Sequence, residues 1–159
     1  MTKTLIAFFS RTGEQYGVGE ITEGNTKKLA EVIAQKTDGD LFEIKVVEDN
    51  YPDKYIPLIQ FAKNEKAENA RPEIVGEVKN FSDYDTVFIG YPNWWSDMPM
   101  PVYTFLEKYD FSNKKVYYFC THEGSGGVHP KDFAVYGHIA QNDKTQTEKD
   151  VERWLKNLT

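Results

Sequence analysis

The residues best able to do chemistry are Ser10-Arg11-Thr12-Gly13, followed by Gly24-Asn25-Thr26. They come directly after the first apolar run, Leu5-Ile6-Ala7-Phe8-Phe9, and a helical pattern opens at Thr26. A strand thus ends in a loop of hydroxyls and glycine that feeds a helix. Backbone N–H groups at a helix N-terminus point at an anion, the helix dipole favours it, and nearby hydroxyls add donors. The chemistry this pattern suits is the holding of a phosphate.

The residue types argue against three kinds of phosphate ligand. Gly19-x-x-x-x-Gly24-Asn25-Thr26 is one residue from a triphosphate loop, but Asn25 stands where the lysine belongs. Without that cation the outer phosphates lose their main charge partner. A dinucleotide fingerprint fails because Gly17-Val18-Gly19 has no glycine three residues on. A phosphatase loop on Cys120 fails because Thr121–Gly127 offers only neutral and acidic groups, so Cys120 reads as a small buried hydrophobe. Arg11 is the one nearby cation, which suits a permanently bound monophosphate that undergoes no chemistry.

Two further loops have unusual compositions. Tyr91-Pro92-Asn93-Trp94-Trp95 carries adjacent tryptophans, and Thr121-His122-Glu123-Gly124-Ser125-Gly126-Gly127 is rich in glycine. A flat ring gains buried area and about 0.5–1.5 kcal/mol more from stacking on an aromatic face. Glycines let backbone amides approach the edge of such a ring closely. A phosphate at one end, a planar ring at the other and amides along its edge describe flavin mononucleotide, FMN. His122 either stabilises negative charge at the ring edge or bonds to its own loop. Tyr51 and Tyr55 either wall the cleft or pack in the core. His129 and His138 read as structural or exposed, and three scattered histidines give no metal-ligand spacing.

These loops need a scaffold that brings them together. Strands are expected at Thr4–Phe9, Thr86–Tyr91 and Lys115–Cys120, with a weaker one at Asp40–Val47. Helical periodicity covers Thr26–Thr37, ending near Gly39, then Asp53–Asn69, Pro101–Tyr109 and Gln146–Leu158. Alternating strands and helices predict a parallel sheet, whose ligands lie beyond the carboxyl ends of its strands. No repeat, linker or low-complexity tract divides residues 1–159, which read as a single domain.

A net charge of −6 argues against nucleic acid and anionic membrane as partners and suits a basic partner protein. One cysteine, no signal segment and no apolar run long enough to span a bilayer point to a cytoplasmic protein.

Taken together, the three loop motifs resemble the flavodoxin-like FMN-binding family, in its bacterial branch with a long phosphate loop. The resemblance covers nearly the whole chain. It implies an α/β three-layer sandwich around a five-stranded parallel sheet in the order 2-1-3-4-5. It implies non-covalent FMN and redox work: electron transfer to a partner protein, or as the alternative an NAD(P)H-dependent reduction of a small quinone-like acceptor. The phosphate loop maps onto Ser10, Thr12, Asn25 and Thr26, with Arg11 and Gly13 in the same motif. The second flavin loop maps onto Pro92, Asn93, Trp94 and Trp95, and the third onto Thr121, His122, Gly124, Ser125 and Gly126.

Two departures set further expectations. Glu14–Glu23 interrupts the phosphate loop, which leaves open which hydroxyls touch phosphate and whether Gln15, Tyr16 and Val18 fold over the ring instead. After Gly127, Phe133–Ala140 is expected as the fifth strand, and Val128–Asp132 is too short for a full fourth helix. The sheet face left uncovered there suggests a homodimer.

Overall fold

The computed structural model describes residues 3–16 and 18–158, so Gly17 of the Gly17-Val18-Gly19 run lies outside the described residues. The elements, in chain order, are β1 (Thr4–Phe8), β2 (Gly13–Gln15), β3 (Gly19–Ile21), α1 (Asn25–Thr37), β4 (Asp40–Glu43), α2 (Tyr55–Ala67), β5 (Thr86–Pro92), α3 (Met100–Lys108), β6 (Lys115–His122), β7 (Phe133–Tyr136), α4 (Gly137–Asn142) and α5 (Lys144–Lys156). A parallel five-stranded sheet runs in the order β4-β1-β5-β6-β7. With the separate β2-β3 hairpin left out of the count, this is the expected 2-1-3-4-5.

Parallel strands are covered on both faces, so their side chains divide between two cores. Leu5, Ala7, Phe9, Val87, Ile89, Tyr91 and Cys120 pack with Leu58 of α2 and Val102 and Phe105 of α3. Ile6, Phe8, Phe88, Phe119 and Val135 face the other way, against Leu29 and Ile33 of α1, Ala140 of α4 and Val151 of α5. Each large side chain buried this way contributes about 1.5–3 kcal/mol.

Several boundaries differ from the expected ones. The weaker strand stops at Glu43, and Val46 instead makes a single bridge to Ile74. The left-handed residue that ends α1 is Asp38 (φ 55°), ahead of Gly39. The fifth strand ends at Tyr136 rather than Ala140, because α4 begins at Gly137 and turns Ala140 into the second core. The Glu123 carboxylate accepts the His138 amide at 2.5 Å, satisfying a donor of the first turn of α4.

No helix joins β6 to β7 among the described residues. A buried carboxylate organises that connection instead. Asp132 Oδ2 accepts the Val128 amide at 2.9 Å, the His129 amide at 3.1 Å and the Tyr91 hydroxyl at 2.9 Å. Ala134 and Tyr136 stay exposed on the first-core side of β7.

Candidate functional site

A cavity of about 330 Å³ opens beyond the carboxyl ends of β1, β5 and β6. This is where ligands sit in open parallel sheets. It is lined by Ser10, Arg11, Asn25 and Thr26, by Pro92, Asn93, Trp94 and Trp95, and by Thr121, His122 and Ser125. Thr12, Gly13, Gly124 and Gly126 do not line it and serve the surrounding backbone.

The polar end is built on the N-terminus of α1. Ser10 Oγ accepts the Lys27 amide at 3.1 Å and keeps its own hydroxyl proton to donate. Among the described residues, the amides of Asn25 and Thr26 donate to no protein acceptor. Gly24 is required here, since a Cβ would lie 1.9 Å from Ser10 Oγ and 2.8 Å from the Arg11 carbonyl oxygen. The Asn25 side chain accepts Gln141 Nε2 at 2.8 Å through Oδ1, and its backbone amide is left for a ligand. The Thr26 and Thr121 hydroxyls bond to each other at 2.7 Å and tie α1 to the end of β6.

Arg11 is less free than its position in the sequence implies. Its guanidinium donates to Asp49 at 2.9 Å and to the Tyr51 carbonyl at 3.3 Å, and it lies over the Tyr51 ring at 5.2 Å. Its Nε is buried without a partner in the described protein. The Arg11 guanidinium is thus already paired with Asp49, and the amides, the Ser10 hydroxyl and this Nε are the unpaired donors at this end of the cavity among the described residues.

The second loop closes on itself. Trp94 and Asp97 exchange two backbone hydrogen bonds around Trp95 and Ser96, both left-handed at φ 58° and 60°. Trp94 packs edge-on against Phe9 at 5.4 Å and against Tyr51 at 5.5 Å, so it joins the site to the first core. Trp95 lies against α2, its Nε1 donating to the Ile59 carbonyl at 2.7 Å. The two tryptophans diverge, yet both reach the cavity.

In the third loop the Gly124 amide donates to His122 Nδ1 at 2.9 Å, which places the His122 proton on Nε2. Burial holds His122 below the usual histidine range, and nearby Glu123 opposes this less strongly. Glu123 also lines the cavity and is paired with His138 Nδ1 at 2.6 Å. Cys120 is buried, and burial pushes its thiol up, as befits an inert side chain.

Beyond the three loops the cavity has one more wall, of which the sequence offers Tyr55, Gln15 and Tyr16 as candidates and misses Leu58, Ile59 and Ala62. Tyr55, Leu58, Ile59 and Ala62 of α2, together with Gln15 and Tyr16 of the hairpin, supply the apolar side of the cavity. The insertion therefore forms a defined hairpin beside the cavity. Tyr55 is a wall residue, whereas Tyr51 packs in the core behind Trp94.

The flavodoxin family profile matches residues 3–158. The chain belongs to the flavodoxin family. A protein from Bacteroides uniformis, named as a flavoprotein, is 25% identical over 98% of both chains, with a TM-score of 0.72. Another so named, from Bacteroides eggerthii, is 27% identical over 99% of this chain and 98% of its own, at 0.67. A flavoprotein from Lactobacillus acidophilus solved in complex with FMN is 24% identical over 98% of this chain and 99% of its own, at 0.64. No curated protein matches the chain.

As a flavodoxin-family site, the cavity meets what FMN would ask of it. Two unpaired helix amides, the Ser10 hydroxyl and the orphaned Arg11 Nε are donors suited to an anion. The Trp94, Trp95, Tyr55 and Ile59 side suits a planar apolar ring.

Proposed function

We propose that this chain is an FMN-binding electron-transfer protein of the flavodoxin family. The observation that carries the reading is one continuous cavity that joins an anion cradle on α1 to an aromatic, apolar wall. Bound there, FMN supplies the uptake and release of electrons. Ser10, Arg11 and the amides of Asn25 and Thr26 hold its phosphate. Pro92, Asn93, Trp94 and Trp95, with Thr121, His122 and Ser125, position the ring; Thr12, Gly13, Gly124 and Gly126 shape the loops around it.

The alternative reading is an NAD(P)H:quinone-type reductase acting from the same cavity. Ligand sites run roughly 300–1,000 Å³. At about 330 Å³ this one falls within that range and suits a mononucleotide. The acidic chain suits a basic redox partner protein. The exposed Ala134 and Tyr136 keep the homodimer as a proposal, tested by light scattering at micromolar concentration. Among the described residues no helix is long and apolar enough to cross a membrane, and a cytoplasmic location is inferred from the lone cysteine.

Titration of the apoprotein with FMN and with riboflavin tests the site. Tight FMN binding and much weaker riboflavin binding are expected, and equal affinities would remove the phosphate cradle from the argument. Anaerobic mixing of the FMN form with NADH or NADPH tests the role. Slow flavin bleaching is expected of a carrier, and rapid bleaching would make the protein a reductase.

A further inference from the structure

We propose that Tyr16, backed by Tyr55, covers one face of the flavin ring, and that the β2-β3 hairpin serves to hold it there. This rests on the FMN reading above. Tyr16 is 61% exposed and yet lines the cavity together with Gln15 and Tyr55. Its ring lies 5.6 Å from that of Tyr55. Most of this side chain is left uncovered by the fold apart from its contact with Tyr55, so its placement leaves a ring free to pack on whatever fills the cavity.

The hairpin is fastened to α2, not loosely hung from the sheet. The Glu14 amide donates to the Asp53 carbonyl at 2.7 Å. The Tyr55 amide donates to Glu14 Oε1 at 2.7 Å, so a carboxylate from the hairpin caps a helix whose own N-cap residue, Lys54, supplies none. Lys54 pairs with Glu20 at 2.5 Å, an exposed and therefore weak contact. Gly13 stands at φ 86° where a Cβ would meet the Asp53 carbonyl oxygen at 2.7 Å, so only glycine lets the hairpin approach this closely.

The hairpin also begins just after Ser10 and ends just before Gly24, so one continuous segment supplies both the phosphate cradle and the aromatic cover. Trp94 and Trp95 belong to a different loop on the same cavity. In this arrangement the chain itself closes the ring face on which a flat hydride donor or acceptor would have to stack. Electrons then leave through the ring edge, without need of a second subunit to complete the site.

The test uses the FMN-loaded full chain and the variants Tyr16→Ala, Tyr16→Phe and Glu14→Ala. Stopped-flow release of FMN, fluorescence of the bound flavin and its quenching by iodide are measured. Tyr16→Ala should speed FMN release about three- to tenfold, the loss of one aromatic contact. It should also brighten the bound flavin and open it to iodide. Tyr16→Phe should behave as wild type, and Glu14→Ala, which unfastens the hairpin with Tyr16 intact, should move in the direction of Tyr16→Ala. If Tyr16→Ala binds FMN with unchanged release and iodide access, the cover is disproved while the cofactor reading stands. If the wild-type chain does not take up FMN at all, both fall.

Discussion

Asn93 Nδ2 donates to the carbonyl oxygen of Gly126 at 2.9 Å, tying the second loop to the third. The Asn93 amide donates to the Thr121 carbonyl at 2.9 Å, and its Oδ1 accepts the Ser96 amide at 2.9 Å. One side chain therefore sets the spacing of the two loops that would grip the ring. Each such hydrogen bond contributes about 1 kcal/mol net. Asn93→Ala should raise the FMN dissociation constant about tenfold and lower stability by about 1–2 kcal/mol. Asn93→Asp, which keeps the acceptor and loses the donor, should fall between. FMN titration and urea unfolding read both effects, and a wild-type affinity for Asn93→Ala would show that the loops hold their spacing without it.

The hydroxyls of Thr26 and Thr121 are buried on each other, with the two residues 2% and 3% exposed. Replacing one leaves the other buried without its partner, which costs about 1–3 kcal/mol. Thr26→Val and Thr121→Val should each destabilise by that amount. The double variant should be more stable than the sum of the two predicts, with a coupling of about 1 kcal/mol or more. A double-mutant cycle in urea measures this. Strict additivity would mean that water already satisfies the hydroxyls.

Much of this site is legible in the sequence because it depends on local signals. Ser10, Gly24 and Thr26 follow an apolar run and precede a helix, and that order alone places an anion cradle. The short stretch between Gly127 and Phe133 leaves no length for a helix, as the structure bears out. What is not legible comes from partners distant in the chain. Arg11 looks like a phosphate cation until Asp49 comes to within 2.9 Å of it. Tyr136–Ala140 reads as a strand because Ile139 and Ala140 are apolar, but Glu123 and the second core draw the chain into α4. Tyr55 is open in the sequence between wall and core, whereas Leu58, Ile59 and Ala62 escape because an apolar stretch in a helix reads as core packing. Tyr16 is legible as a residue that could fold over the ring, but the hairpin that carries it escapes because its strands are too short to show an alternating pattern.

Ser96 occupies the left-handed region at φ 60° directly after Trp95 at φ 58°. A non-glycine residue there costs about 1–2 kcal/mol, while glycine adds about 0.5–1 kcal/mol of unfolded-state entropy. The Ser96 side chain is exposed, and its bond to Asn93 uses the backbone amide, which glycine retains. Ser96→Gly should therefore stabilise the protein by about 0.5–1 kcal/mol. The midpoint of urea unfolding should rise with an unchanged slope. A lower midpoint would mean that the turn is already held without strain by Trp95 Nε1 on Ile59 and Lys66 Nζ on the Trp95 carbonyl.

The His122 ring accepts the Gly124 amide at Nδ1 and packs 4.7 Å from the Tyr136 ring. Burial holds its pKa below the ordinary value of 6.5. The folded chain thus resists a proton that the unfolded chain takes up. As pH falls through 6.5 the unfolded state is protonated first, so stability falls with pH from there down. A proton on Nδ1 also removes the acceptor that fixes Gly124 in the third loop. FMN affinity should accordingly hold above about pH 7 and weaken steadily on acidification toward about pH 5. His122→Gln, which does not titrate but retains an acceptor, should flatten that part of the profile. FMN titrations across the range compare the two. The same acid weakening in His122→Gln would move the effect to another group.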